Sequence, residues 1–137
     1  MKQVHGTAVS VNGRGLLILG PSGSGKSSLA LELMAAGGSL VSDDRTDLEK
    51  QGEVVMASAP QGLAGRIEAR GVGILRVENG PPAAIRLVVD LGQREELRLP
   101  FRHHHNLIGV WVPLVLGPYR PQLYAALRQY LLAGRND

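Results

Sequence analysis

The segment GLLILGPSGSGKSS, residues 15–28, decides the fold of this 137-residue chain. It begins with an apolar run, Gly15 to Leu19, which predicts a buried strand. A glycine-rich turn follows and passes into a predicted helix from Lys26 to Ala36. The turn carries the complete pattern G-x-x-x-x-G-K-S in the strand–turn–helix context that the motif requires. We therefore predict a phosphate-binding loop that takes a nucleoside triphosphate or another polyphosphate.

Each residue type in this loop suits the binding of phosphate. Glycines let successive backbone N–H groups point at phosphate oxygens without a β-carbon in the way. Lys26 supplies an ammonium for the terminal phosphates, and the hydroxyl of Ser27 is a ligand for Mg²⁺. The start of the helix turns its positive dipole end toward the anion. The predicted binding residues are Gly20, Pro21, Ser22, Gly23, Ser24, Gly25, Lys26, Ser27 and Ser28.

A pair of carboxylates follows the next predicted strand, Leu40-Val41. Asp43 and Asp44 come where ligands collect in open α/β sheets, at the carboxyl end of a strand. One can approach the metal ion while the other acts as general base toward an incoming hydroxyl. The same pair can instead form a turn and a helix cap before Thr46 to Glu49. No Glu follows the aspartates, which argues against a plain ATP hydrolase.

The rest of the chain indicates one α/β domain, residues 1–137, with a mixed sheet and flanking helices. Asn12-Gly13 between two apolar runs predicts a hairpin turn. A C-terminal helix is predicted from Pro121 to Leu132. Leu107 to Leu116 predicts one buried strand, broken by Pro113. Further short strands are predicted at Glu53–Ala57, Gly73–Val77 and Ala84–Val89.

Composition narrows the classes of function. The net charge is +3, but the arginines stand singly without stacking aromatics, which favours anionic ligands over nucleic acid. The longest apolar stretch is about half of the roughly 20 residues that a membrane span needs. Cysteine is absent, which excludes disulfides, thiolate metal sites and a cysteine nucleophile. We expect a cytoplasmic protein without a nucleic-acid or membrane partner.

Three further segments match the order and spacing of one known family. They are VHGTAV at Val4–Val9, LVSDD at Leu40–Asp44 and IEARGVGIL at Ile67–Leu75. With them and the phosphate loop, the chain resembles the C-terminal catalytic domain of HPr kinase/phosphorylase, a serine kinase of bacterial phosphotransfer regulation. The resemblance implies a fold similar to phosphoenolpyruvate carboxykinase. Because His5 lies almost at the start, it also implies a short form that has only the catalytic domain.

The resemblance implies roles for single residues. His5 would be an active-site residue beside the phosphoryl group, and Lys26 would bind phosphate. Asp44 would accept the proton of the substrate serine and donate one in the reverse reaction. Glu68 would be the signature acid associated with the metal ion. We expect Asp43 and the hydroxyl of Ser27 to bind the metal ion as well.

The same resemblance implies ligands and partners. The expected donors are ATP with Mg²⁺, or pyrophosphate, and the expected acceptor is HPr or an HPr-like phosphocarrier protein. Inorganic phosphate would drive the reverse reaction, phosphorolysis of the phosphoserine. Family members form hexamers, so a homo-oligomer is expected.

One position departs from the family pattern. A catalytic arginine precedes an apolar strand in the family, and His105 stands in its place here. Arginine carries a fixed charge at pH 7, whereas histidine is only partly charged. The resemblance therefore supports the kinase activity more strongly than phosphorolysis. His103 and His104 are interpreted as a polar loop, because neighbouring side chains on a strand would point apart and not share one metal ion.

The primary expectation is thus an ATP-dependent protein serine kinase acting on HPr. Two alternatives stay open. The first is a regulatory module that binds ATP and transfers nothing, which the histidine in place of arginine motivates. The second is a small-molecule kinase, which would need an arginine-rich lid that the scattered arginines of the second half do not supply.

Overall fold

The phosphate-loop strand lies inside a large mixed sheet. The computed structural model describes residues 1–137. Its strands are β1 Lys2–His5, β2 Thr7–Val11, β3 Arg14–Leu19, β4 Ser39–Ser42, β5 Arg45–Gln51, β6 Val54–Ser58, β7 Arg66–Ala69, β8 Gly73–Arg76, β9 Ala83–Arg94, β10 His103–Leu107 and β11 Val110–Gly117. The helices are α1 Lys26–Ala35 and α2 Leu123–Ala133.

Strand β9 is the centre of the main sheet. The order is β1-β5-β6-β9-β3-β2-β4, and β11 also pairs with β9 and carries β10 beyond it. β9 is parallel to both β3 and β11, whereas the other pairs in this sheet are antiparallel. β7 and β8 form a separate two-stranded sheet. The mixed sheet with two helices confirms the predicted α/β class.

The predicted start of the fold is confirmed in detail. β2 and β3 form an antiparallel hairpin, and Asn12 and Gly13 at its turn have φ values of 50° and 77°. Both angles are positive, as the favoured two-residue hairpin turn requires. The helix α1 ends before Gly37, where φ is 102°, and the N–H of Gly38 closes the turn on the carbonyl of Leu33 at 2.8 Å. This Gly-Gly pair ends the helix one residue before the predicted end at Ala36.

Two apolar clusters lie on opposite faces of the sheet. Because side chains alternate along a strand, Leu16 and Ile18 of β3 join one cluster and Leu17 joins the other. Both helices cover the first face, α2 through Leu123, Leu127 and Leu131. The buried residues of the second cluster all belong to strands, so no helix covers this face of the sheet. Neither helix has the length and apolar character of a membrane span.

The predicted single strand from Leu107 to Leu116 is wrong. The chain turns back at Ile108 and Gly109, with φ values of 41° and 92°, and so makes two strands. The side-chain carbonyl of Asn106 accepts the N–H of Gly109 at 2.8 Å and closes the turn. Pro113 lies within β11 at a position paired only with β10, where a missing N–H is tolerated.

Two other interpretations are corrected. His103 and His104 do not form a loop but belong to β10, where they pair with Leu114 and Pro113. The helix cap proposed as an alternative before Thr46 to Glu49 is absent, because these residues lie in β5 and pair with β1 and β6. The strand forms because Thr46 and Leu48 are buried while their neighbours face outward.

Glu95 ties the segment after β9 to β10, and we predict an effect of pH there. The backbone N–H of Leu97 and then the ring of His103, 3.0 Å from Oε1, hold the pKa of Glu95 below its ordinary value of 4.5. A carboxyl whose pKa is lower in the folded than in the unfolded protein stabilises the fold at pH values above its unfolded-state pKa. This contribution is lost as the pH falls through the folded-state pKa. The variant Glu95→Gln should therefore lose less stability than wild type between about pH 6 and pH 3. Urea unfolding at the two pH values measures this, and equal losses would contradict it.

Candidate functional site

A polar cleft opens where β3 ends and α1 begins. Its volume is about 250 Å³, and none of its eleven lining residues is hydrophobic. Nine of them belong to the predicted site: His5, Ser22, Gly23, Gly25, Lys26, Ser27, Ser28, Asp44 and Glu68. Thr7 and Arg70 complete the lining. The structure therefore brings His5, Asp44 and Glu68, which are distant in sequence, next to the residues of the loop.

The loop from β3 to α1 has a backbone that excludes side chains. Gly20 and Gly25 have φ values of 146° and 103°. A β-carbon on Gly20 would lie 2.5 Å from Oγ of Ser24, and one on Gly25 would lie 2.9 Å from Cγ of Tyr119. Only glycine fits at these two positions, as a backbone cradle for phosphate oxygens requires.

Two polar groups in the loop suit an anionic ligand. Lys26 is buried as a residue, and its ammonium donates to the carbonyls of Gly20 at 2.7 Å and Pro21 at 2.9 Å. The ammonium therefore lies within the loop, where its hydrogen-bond acceptors are neutral carbonyls and no carboxylate pairs with its charge. The hydroxyl of Ser24 is buried without a hydrogen-bond partner. Since buried polar groups are normally satisfied, both features fit a loop that binds phosphate.

Asp43 does not line the cleft but joins three elements next to it. Its Oδ1 accepts hydrogen bonds from the hydroxyls of Ser27 at 2.7 Å and Thr7 at 3.0 Å. Its Oδ2 accepts the backbone N–H of Glu68 at 3.0 Å. A serine hydroxyl beside a carboxylate provides the oxygen ligands that Mg²⁺ prefers. These residues therefore fit the predicted metal ion.

The metal ligands are few. No group of three or more His, Cys, Asp or Glu side chains lies close enough to hold a metal ion. Mg²⁺ commonly binds one or two carboxylates together with substrate phosphates and water, which matches Ser27 and Asp43. Glu68 lines the cleft, and its backbone N–H donates to Asp43.

Asp44 differs from its neighbour in both backbone and surroundings. Its φ is 70°, in the left-handed region. Its N–H donates to Oγ1 of Thr7 at 3.2 Å, and its carbonyl accepts the N–H of Gly6 at 3.0 Å. The side chain is 65% exposed, and its Oδ1 lies 2.9 Å from Nε2 of His5. The two adjacent carboxylates thus have separate partners, one on the phosphate loop and one open to the cleft.

His105 lies outside this cleft. It lies in the middle of β10, opposite Val112. Strands β11 and β9 separate β10 from β3, and His105 is not among the lining residues. Its place along the chain matched the family arginine, but the sheet order puts it elsewhere. We therefore expect His105 to have no direct role in transfer at this cleft.

Sequence reasoning missed three residues of the site. Thr7 is fully buried and bridges both aspartates, and only its polarity within an apolar strand signals it. Arg70 lies in the turn directly after β7, two residues beyond Glu68, and the IEARGVGIL segment contained it without assigning it a role. Tyr119 packs on Gly25, and its hydroxyl donates to Glu32 at 2.9 Å. This bond and burial raise the pKa of Tyr119, and no local pattern signals the contact.

Several known proteins of one family are similar to this chain. Residues 1–100 match the model of a family described as HPr Serine kinase C-terminal domain. The chain is 38% identical over 130 residues to the HPr kinase/phosphorylase of Caldicellulosiruptor bescii, a match that covers 85% of this chain and 42% of the relative. It is 37% identical over 131 residues to that of Mycoplasmopsis pulmonis, covering 86% and 42%. The chain thus spans less than half the length of these relatives.

A solved structure agrees with the sequence matches. The Hpr(Ser) kinase/phosphatase from Coxiella burnetii superposes with a TM-score of 0.78 at 27% identity. The superposition covers 94% of this chain and 87% of that chain. The similarity therefore extends beyond residue 100, where the match to the family model ends.

Proposed function

The chain belongs to the HPr Serine kinase C-terminal domain family, and on this premise we propose that it transfers a phosphoryl group from ATP to a serine of HPr or an HPr-like phosphocarrier. One observation carries the proposal. A single cleft is lined by residues of the phosphate loop and by the exposed carboxylate of Asp44, and the carboxylate of Asp43 lies next to it, bonded to Ser27 of the same cleft. Donor binding and proton removal thus meet in one place, as a kinase requires.

The loop residues would bind and orient the donor. Backbone N–H groups between Gly20 and Ser27 and the ammonium of Lys26 would take the phosphates of ATP. Ser27 and Asp43 would hold Mg²⁺, which neutralises charge on the phosphates when bound. Binding at a fixed loop places the donor beside Asp44, and such positioning supplies much of the rate in phosphoryl transfer.

Asp44 would be the general base. The serine oxygen forms a bond to the terminal phosphorus of ATP, the bond from that phosphorus to the ADP oxygen breaks, and the hydroxyl proton passes to the carboxylate of Asp44. His5, 2.9 Å from Oδ1, would orient this carboxylate. In phosphorolysis the same carboxylate would return the proton to the serine.

The decisive experiment is a transfer assay with purified protein, radiolabelled ATP, Mg²⁺ and HPr. We expect label on HPr, and none on an HPr variant whose target serine is alanine. ATP should be consumed only when HPr is present. Binding of ATP without labelling of HPr would contradict the proposal and support the regulatory module instead. Adding inorganic phosphate to labelled HPr measures phosphorolysis, with pyrophosphate as the product.

A further inference from the structure

A second cavity adjoins Asp44. It also measures about 250 Å³ and is lined by Asp43, Asp44, Leu63, Arg66, Glu68 and Ile74. Two of these residues, Asp44 and Glu68, line the phosphate cleft as well. No residue of the phosphate loop lines the second cavity. The proposed base therefore stands between two spaces, of which only one is built from the loop.

The chemistry of transfer gives the second space a role. In phosphoryl transfer, the attacking and leaving oxygens lie roughly in line on opposite sides of the phosphorus. A donor held by the loop occupies the first cleft, so the acceptor hydroxyl must approach from another direction and still reach Asp44. The second cavity meets both conditions, because it borders Asp44 and lies outside the loop.

The wall of this cavity is partly apolar. Ile74 of β8 is 64% exposed, and Val72 at the tip of the same hairpin is 75% exposed. Single exposed apolar residues are ordinary on protein surfaces, but Ile74 together with Leu63 lines a cavity that contains the proposed base. The β7–β8 hairpin is also tied to the site, since the N–H of Glu68 binds Asp43. The apolar residue Ile74 on this hairpin is therefore held at a fixed position near Asp44.

We infer that this second cavity, here called the acceptor cavity, binds an apolar side chain that lies next to the target serine in the substrate protein. The inference rests on the proposed kinase function. A volume of about 250 Å³ is large enough for one or two side chains of a polypeptide. Leu63 and Ile74 contact the apolar side chain while the serine hydroxyl reaches Asp44.

Kinetics with HPr tests the acceptor cavity. The variant Ile74→Ser should raise the KM for HPr about tenfold, the value of one apolar group in a pocket, and leave the affinity for ATP unchanged. Leu63→Ser should act in the same direction. Trp111→Ser is the matched control, since Trp111 is 67% exposed and lies on β11, away from both cavities. An unchanged KM in both cavity variants would overturn the inference.

A second measurement does not depend on catalysis. The chain has no cysteine, so Ile74→Cys and Trp111→Cys each carry one site for a maleimide photo-crosslinker. Crosslinking of HPr through position 74 and not through position 111 supports the acceptor cavity, even if wild type transfers no phosphate and the kinase proposal fails. Transfer by wild type, with no crosslink at position 74 and no change in KM, overturns the acceptor cavity alone.

Discussion

The variant Asp44→Asn is expected to lower the rate of phosphoryl transfer to HPr by about 10²–10⁴-fold, the usual contribution of a general base. Asparagine has the same size and also tolerates a positive φ, so the backbone at this position is preserved. The amide cannot take the proton of the serine. ATP binding should persist, because the loop and Asp43 are unchanged. Single-turnover transfer and calorimetric titration with ATP measure the two quantities separately.

Asp47→Asn is the matched control for this variant. Asp47 lies three residues further on in β5, where its Oδ1 accepts a hydrogen bond from Gln3 at 3.2 Å outside the cleft. The same chemical change there should leave transfer intact. If Asp44→Asn weakened ATP binding as much as it slowed transfer, Asp44 would belong to the donor site and would not be the base.

The second large effect is expected from Gly25→Ala. A β-carbon at this position lies 2.9 Å from Cγ of Tyr119, and φ is 103°. Either Tyr119 or the loop must move, and a moved loop no longer aims its N–H groups at phosphate. We expect ATP to bind about a hundredfold more weakly, which corresponds to the loss of one or two charge-assisted hydrogen bonds at about 1.5–3 kcal/mol each. Titration with ATP measures this loss.

A second glycine separates loop geometry from backbone strain. Gly37 has nearly the same φ, 102°, but a β-carbon there meets no atom within 4 Å. Gly37→Ala should lower the free energy of unfolding by about 1–2 kcal/mol, the cost of a left-handed residue, and leave ATP binding intact. Equal loss of ATP binding in both variants would show that strain, and not the shape of the loop, causes the effect.

The phosphate site was the most predictable part of the molecule. The motif requires a particular local sequence, so residues 15–28 predicted the strand, the turn and the helix together, and the ligand class stays a prediction. The two-residue turn at Asn12-Gly13 was equally clear, because few residues adopt positive φ. The resemblance added His5 and Glu68, which only the folded chain brings beside the loop.

Other features depend on contacts between distant parts of the chain. The apolar run from Leu107 to Leu116 suits one strand or two, and its turn begins with Ile108, a residue that does not indicate positive φ. The bond between Thr7 of β2 and Asp43, which directly follows β4, depends on the pairing of β2 with β4, and the sequence does not reveal this pairing. For His105, order along the chain matched the family, but the distance from the loop follows from the sheet order.

The central position of β9 has a consequence for how the protein folds. The loop strand β3 has one neighbour close in sequence, β2, and one far away, β9, which begins at Ala83. Pairing of strands that are distant in sequence is slow, because the chain loses the entropy of closing a long loop before the contacts between the strands stabilise it. The phosphate loop should therefore become competent to bind only late in refolding. Nucleotide added during refolding would detect the last steps, after helix α1 has formed.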